Sequence, residues 1–519
     1  MARSAFQISP RLGASAAVLI AALILSALGA VVSRATSDFV LSPADWAAVR
    51  FTIWQAFLSA TFSCLLAVFV ARALARRRFW GRGLLITLLG APFILPVIVA
   101  VLGLLAIFGR SGILNDVLGL IGLQSVSIYG LQGVVLAHVF FNLPLVTRLL
   151  LQGWQSIPAE RFRLVAQLGM PPRMVFGLIE WPLILRIIPG AFALVFVICL
   201  TSFAVALTLG GGPRATTIEL AIYQAFRFDF DLSRAAYLSV LQLGVAGAAA
   251  VVALWLIPSV GLGGGLDRMQ KRWDVRGGAS RLRDTIVIGF AAAFLILPLS
   301  AVLVSGLRGL ADVPPSVWAS AWTSTWVALL STIVLLALAL PMAGWIATSR
   351  RTSVEAVGLL GLAASPLMIG TGWFILIHPF VNPADWALTV TIVVNAMMAL
   401  PFALRILVPS LRDSAQAYGR LSAGLGLGGI RLWAWVLIPR GRTQIGFAAG
   451  LTAALSVGDL GVIALFADPD RATLPLQMYR LMGSYWTEAA SGAALILLVL
   501  ALGLFWIMDY WGRRNAIVD

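Results

Sequence analysis

The chain has 519 residues, 60% of them hydrophobic and 11% charged, where soluble domains carry about 25% charged residues. This excludes a water-soluble enzyme or binding module and identifies an integral membrane protein that faces lipid. The formal net charge of +16 is no sign of a nucleic-acid partner until it has been mapped onto loops.

A hydrocarbon core about 30 Å thick needs about 20 apolar residues of helix to cross it. Runs that qualify lie at 13–33, 51–71, 83–109, 129–147, 187–209, 235–257, 285–306, 320–347, 353–377, 386–404, 444–466 and 489–508. They do not alternate as barrel strands do, and lipid offers the backbone no partner, so helix is expected. The first run follows Arg3 and Arg11 in the manner of a secretory signal. It is longer than a usual signal core and has a counterpart at 285–306, so it is read as a retained span.

Lysine and arginine orient the chain. With the N-terminus inside, the cytoplasmic segments are 72–82, 148–186, 267–283, 349–351, 405–443 and the tail from Trp511. Together with the N-terminus they hold 28 of the 37 basic residues. The positive-inside rule then puts both termini in the cytoplasm and makes the +16 an orientation charge. Cys64 and Cys199 sit in apolar runs and support neither a disulfide framework nor a metal site. His138 and His378 have no cluster of ligand-type neighbours and read as structural or pore-lining.

The chain repeats itself. "RLVAQLGMPPRMVFGLIEWP" (163–182) has the pattern of "RLSAGLGLGGIRLWAWVLIP" (420–439), 257 residues on. At the same offset "NLPLVTR" (142–148) meets "ALPFALR" (399–405), "SFAVAL" (202–207) meets "DLGVIA" (459–464), and "PRATT" (213–217) meets "DRATL" (470–474). Earlier, "WQAFLSAT" (54–61) matches "WVALLST" (326–332) and "APFILP" (91–96) matches "SPLMIG" (365–370), at offsets of 272 to 274. Six spans per half give a parallel repeat with its axis along the membrane normal, and substrate sites in such proteins lie at the repeat interface. The expected organisation is a first repeat at 1–257 (core about 51–257), a cytoplasmic linker at 258–284, and a second repeat at 285–519 (core about 320–510).

Each opening stretch falls between the fourth and fifth span of its half, on the cytoplasmic side. A short amphipathic run leads into Leu168-Gly169-Met170 and Leu425-Gly426-Leu427. A bulky residue follows (Phe176; Trp433), then a proline (Pro182; Pro439). Glycine tolerates the left-handed backbone that ends a helix, and proline suits the start of the next one. The expectation is two short helices with a sharp turn, from which apolar residues project. A single loop of this kind is an ordinary helix hairpin. Two copies in equivalent loops point to two equivalent cytoplasmic partners or one symmetric dimer.

This spacing resembles the "EAA" loop of ABC importer permeases of the type I fold. Arg163-Leu164-Val165 and Arg420-Leu421-Ser422 stand where Glu-Ala-Ala is usual. The stretches "TLGGGPRATTIELAIYQAFRFDFDLSRAA" (208–236) and "SVGDLGVIALFADPDRATLPLQMYR" (456–480) look like the thiamine permeases of that family, in which both halves are fused. The resemblance covers most of the chain. It implies an all-α integral membrane protein of about 12 transmembrane helices in two tandem parallel six-helix repeats. It also implies two copies of a cytoplasmic ATPase docked on the loops, a periplasmic substrate-binding protein, and alternating access for thiamine or its phosphates across the inner membrane. Iron(III) permeases share the architecture, so another small solute is the alternative within the class. A secondary transporter without an ATPase is the alternative outside it.

No catalytic pair, redox motif or metal cluster is visible. The only lysine, Lys271, stands in "QKRW", so the chain has no phosphate-binding G-x-x-x-x-G-K-[ST] loop. No cofactor is expected on this chain, and the ATP and magnesium belong to the partner. Asp459 lies inside the eleventh span, where an acid is a functional candidate by default. It either faces the cavity or hydrogen-bonds a neighbouring helix, and its counterpart is Ser202. Pro144 and Pro401, late in the fourth and tenth spans, are candidate hinges along the pathway, as are Pro92, Pro96 and Pro366. Arg214, Glu219 and Arg471 are candidate contacts for the binding protein or plain solvated charges. Glu180, beside Trp181, reads as an ordinary interfacial charge.

Overall fold

Without water, a peptide group can be satisfied only by another peptide group, and a helix does this within one segment. The computed structural model describes residues 10–35, 41–256, 278–349, 361, 364–466 and 471–514, and these contain helices and turns but no strand. Most of the expected linker and the start of the ninth expected span lie outside the described residues.

The first half comprises α1 (Pro10–Arg34), α2 (Pro43–Arg76), α3 (Arg82–Leu88), α4 (Val97–Phe108), α5 (Ile113–Leu120), α6 (Leu131–Gln155), α7 (Ala159–Gln167), α8 (Pro172–Val175), α9 (Trp181–Leu200), α10 (Phe203–Leu209), α11 (Ile218–Arg227) and α12 (Leu232–Leu256). The second comprises α13 (Gly278–Gly309), α14 (Pro315–Ser349), α15 (Pro366–Ile377), α16 (Pro383–Gly424), α17 (Gly429–Leu432), α18 (Ile438–Val457), α19 (Gly461–Phe466), α20 (Leu474–Gly483) and α21 (Thr487–Arg514). Among the described residues, eleven helical segments are long and apolar enough to cross a membrane, and α15 is a shorter apolar helix. The chain is a multi-pass membrane protein.

Three expected spans are broken. The third divides at Gly90–Pro96, the fifth at Thr201–Ser202 and the eleventh at Gly458–Leu460. Pro96 caps α4 and Pro366 opens α15. They start helices rather than kink them, because a residue without an N–H is harmless in a first turn.

The halves share a polar knot. Ser59 of α2 lies 3.2 Å from the His138 ring of α6, and Asn142 reaches the Cys199 Sγ of α9 at 3.4 Å. In the second half Asn395 donates to Ser456 Oγ at 2.8 Å, and Ser456 to Ser331 at 3.1 Å. Ser331, Asn395 and Ser456 stand 272, 257 and 257 residues after Ser59, His138 and Cys199. Outside each knot, α2 and α14 hold a short helix by its first turn. Thr52 Oγ1 accepts from Ile218 N and Ser324 Oγ from Leu474 N, both at 2.8 Å.

The two halves interleave. α1 packs on α14 and α15 of the second half, and α13 packs on α2 and α4 of the first. Trp373 Nε1 of α15 donates to Leu23 O of α1 at 3.1 Å, and Arg77 at the end of α2 pairs with Asp284 of α13 at 2.8 Å. At the outer ends, Arg234 of α12 pairs with Asp45 at the start of α2, 2.9 Å away.

Close approach of these helices depends on glycine, as is usual where lipid removes the hydrophobic drive between helices. A Cβ on Gly372 of α15 would stand 2.3 Å from Ala27 O of α1, and one on Gly103 of α4 would stand 2.5 Å from Pro298 O of α13. The two glycines are 269 residues apart and hold the same place in helices of 12 residues. The structure therefore pairs Pro96 with Ser365, not Pro96 with Gly370 as the matched hexapeptides suggest. A helix cap outweighs a chance run of similar letters.

Gly372→Ala should destabilise the detergent-purified protein by about 1–3 kcal/mol through overpacking, read as a lowered unfolding temperature. Gly289→Ala, with nothing within 4 Å of the added carbon, should leave it unchanged. Equal behaviour of the two would contradict the interleaved contact.

Candidate functional site

Both repeated loops use the same backbone. Gly169 and Gly426 are left-handed, with φ of +59° and +63°. Met170 N reaches back to Val165 O at 3.2 Å, and Leu427 N to Ser422 O at 2.9 Å. This six-residue closure is how a glycine-capped helix satisfies its last carbonyls. A short helix follows, α8 or α17, and then one wide π turn, Phe176–Glu180 or Trp433–Leu437. The π turns have a local cause. Pro182 and Pro439 bring no N–H and their rings would collide with the carbonyl four residues back. The backbone widens, and Trp181 and Ile438 bond five residues back, to Phe176 O and Trp433 O.

The copies differ at their entry. Pro158 caps α7 and separates it from α6. Ala415, at the corresponding position, lets α16 run unbroken to Gly424.

Leu168 and Leu425 are 60% and 65% exposed, and the equivalent pairs Leu164 with Leu421 and Leu178 with Trp435 are exposed as well. The latter two pairs were not singled out from the sequence, although the 257-residue offset contains them. Met170, Leu427, Phe176, Trp433 and Pro439 are half-buried, and Pro182 is exposed. The bulky residue of each loop is thus not among the apolar residues that project. The Phe176 ring lies under the Arg72 guanidinium, 4.3 Å from its centroid, and beside Trp181.

Glu180 is no ordinary interfacial charge. It is fully buried, 2.7 Å from Arg72 Nε and 3.3 Å from Arg76 of α2. The corresponding residue is Leu437, also buried, and Gly344 and Thr348 of α14 stand where α2 has Arg72 and Arg76. The first loop is pinned by charge and the second by apolar packing. The available signal was an acid aligned with a leucine, together with two arginines one turn apart.

At the centre, broken helices of both halves meet. Asp459 stands in the break between α18 and α19, where Oδ1 accepts from Gly461 N at 3.3 Å and Oδ2 is buried without a partner. Ser202 stands at the N-cap position of α10 at the corresponding break, without a capping hydrogen bond from its side chain. Gly458 lies against Pro96 of the first half, and Gly461 against Pro366 and Leu367 at the start of α15. Pro144 and Pro401 are buried inside the uninterrupted helices α6 and α16.

Of the outer-face candidates, Arg214 is exposed in the turn Pro213–Ala215, and Arg471 pairs with Asp385 at 3.4 Å. Glu219 is corrected. It is 0% exposed, because capping by Thr217 and Thr52 fixes the first turn of α11 inside the protein. Its Oε2 accepts from Ser365 Oγ at 2.9 Å, so it offers no surface to a binding protein here. At the C-terminal end of α15 a cleft of about 520 Å³ is lined by Phe374, His378, Phe380, Asn382 and Phe466, and Phe226 of the first half packs edge-on against Phe374.

Glu180→Gln should lower the unfolding temperature, since truncating a buried ion pair costs about 3–5 kcal/mol and Arg72 keeps some solvent to reduce that. Glu160→Gln, an exposed acid of α7, should have no effect. A Glu180→Gln protein as stable as wild type would refute the charge pin.

No family model matches the chain. Among curated relatives, the Thiamine transport system permease protein ThiP of Escherichia coli (strain K12) is 40% identical over 523 residues, 98% of this chain and 97% of that one. Its namesake from Salmonella typhimurium (strain LT2) is 40% identical over 486 residues, 91% and 90% of the two chains. A probable sulfate transport system permease protein cysT from Helicosporidium sp. subsp. Simulium jonesii is 27% identical over 237 residues, 45% of this chain but 87% of its own. A permease about half as long thus matches about half of the chain. With 40% identity sustained across nearly the whole of both chains, and a polytopic helical fold to carry it, this protein belongs to the family of thiamine transport system permeases.

Proposed function

We propose that the chain is the membrane-spanning subunit of an ATP-driven importer that carries thiamine or its phosphates across the bacterial inner membrane, with both termini in the cytoplasm. The observation that carries this reading is the full-length similarity to relatives named for thiamine transport. The energy source is a separate chain, because the single lysine, Lys271, is flanked by Gln270 and Arg272 where a P-loop needs glycine and serine or threonine. Two copies of an ATPase subunit, using ATP and magnesium, dock on the exposed leucines of the twin loops. The left-handed glycine at one end and the π turn at the other make each loop a short stiff lever.

Substrate arrives from a periplasmic binding protein, with Arg214 and Arg471 among its contacts on the outer face. Closure of the ATPase pair reaches the seam through α9 and α18, which continue directly from the loops and end at Ser202 and Asp459. Pro144 and Pro401, each lacking one backbone hydrogen bond in the neighbouring fourth-span helix, are where those helices bend. Thiamine carries a permanent positive charge, which suits an acid such as Asp459 on the path. The spans interleave so that the halves cannot separate fully, as alternating access requires.

The test is uptake of labelled thiamine by a thiamine-requiring bacterium lacking its own permease, expressing this chain with its candidate ATPase and binding protein. Uptake should need all three proteins and fall to background in the double variant Gly169→Asp, Gly426→Asp at unchanged membrane abundance. Uptake without the ATPase would make this a secondary transporter. Full uptake by the double variant would remove the loops from the coupling path.

A further inference from the structure

Two carboxylates, one from each half, meet at the N-terminus of α15. Glu219 of the first half reaches Ser365, its capping residue, at 2.9 Å. Asp459 of the second half lies beside Gly461, which packs on Pro366. Each keeps one buried oxygen with no donor, Oε1 of Glu219 and Oδ2 of Asp459. Gln242 of α12 hydrogen-bonds the Glu219 carboxyl. Its Nε2 is used by Leu200 O at 2.9 Å, and its own Oε1 is a third buried acceptor without a donor. Neither acid is in an ion pair with a described arginine.

A purely structural role accounts for part of this arrangement. Glu219 ties α11 to α15, and Asp459 caps α19. The first turns of α11, α15 and α19 lend positive potential, but a helix terminus offsets only a fraction of what a buried carboxylate loses in leaving water. Three orphaned acceptors at one seam leave room for a further donor or a cation; the described residues around the two acids supply only the Ser365 and Gln242 side chains beside Glu219 and the Gly461 and Val462 N–H groups beside Asp459. The placement is also where broken-helix transporters bind their substrates, at the repeat interface among half-helix ends.

The acids break the symmetry of the repeat. Asp459 corresponds to Ser202. Glu219, the second residue of α11, corresponds to Pro475, the second residue of α20. Each half contributes one acid that the other half lacks, so the pair occurs once per transporter. Only a chain with two distinct halves can build it.

We propose that Glu219 and Asp459, assisted by Gln242, form a single transit site for an organic cation bearing N–H donors, closed here and opened when the halves part. This rests on reading the substrate as thiamine, whose thiazolium supplies the charge and whose aminopyrimidine supplies the donors. Ser365 holds Glu219 in place and is not itself a ligand.

The experiment uses the whole transporter, permease with ATPase in proteoliposomes and its loaded binding protein. Thiamine transport and binding-protein-stimulated ATPase are measured side by side. Glu219→Gln and Asp459→Asn should each reduce thiamine transport by about tenfold or more, as removal of one partner from a buried charge pair does, while stimulated ATPase is retained. Glu219→Asp should recover part of the transport. Transport of the uncharged thiophene analogue of thiamine, which keeps the aminopyrimidine donors and is delivered by the same binding protein, should be reduced less by both neutral variants than transport of thiamine is. Ser365→Ala, which removes the tie but keeps both carboxylates, should transport near the wild-type rate. Wild-type transport in both neutral variants would overturn the proposal. So would a Ser365→Ala protein that reproduces the Glu219→Gln loss, since Glu219 would then be a latch. Failure of the substrate reading looks different, because the wild type itself would move no thiamine, and the cation site would fall with it.

Discussion

A peptide group in hydrocarbon that loses its helical partner loses several kcal/mol, so a membrane chain can interrupt a helix only where protein covers the gap. The breaks at Gly90–Pro96, Thr201–Ser202 and Gly458–Leu460, and the start of α15 at Ser365, obey that rule. They are gathered against one another, with Gly458 on Pro96 and Gly461 on Pro366. The residues at the gaps are those that manage loose backbone groups: prolines without an N–H, a serine that caps, an aspartate that accepts from the next turn. Concentrating the irregular backbone there also concentrates polar groups at the seam between the halves.

The interleaving of α1 and α13 gives that seam its mechanical setting. Each half is clasped by the first helix of the other, and the clasp depends on glycines 103 and 372 allowing backbone to meet backbone. The two repeated loops enter α9 and α18 through equivalent π turns, and continuous helix then runs from each loop to Ser202 or Asp459. The loops are not equal. Glu180 locks the first to Arg72 and Arg76, whereas Leu437 seats the second in apolar contacts. A fused chain is free to diverge in this way, and the same freedom places Glu219 and Asp459 opposite serine or proline counterparts.

Much of this was legible in the chain itself. The expected spans needed only run length and composition, because lipid imposes its thickness locally. The loops were legible because a left-handed glycine and a proline thirteen residues on are local demands, and their recurrence after 257 residues removed chance. What was misread had a nonlocal cause. Glu180 looked like a surface charge because its partners lie more than a hundred residues away in α2. Glu219 looked like an outer-loop residue because nothing nearby in sequence reveals that Thr52 draws the first turn of α11 inward. The third-span register was misaligned because similar letters in "APFILP" and "SPLMIG" outweighed the caps, which only the folded helices disclose.

The sequence by itself determined that this is a membrane protein, how many times it is apolar enough to cross, that it is duplicated, and where its paired loops lie. Each of these follows from hydrophobicity, backbone preference and repetition, which act within a few turns of chain. Only the tertiary structure decided which half clasps which helix, which acids are buried and against what, and where the broken helices converge. Those outcomes depend on contacts between residues distant in sequence, and lipid, unlike water, exerts no pull that would write such contacts into a hydrophobic pattern.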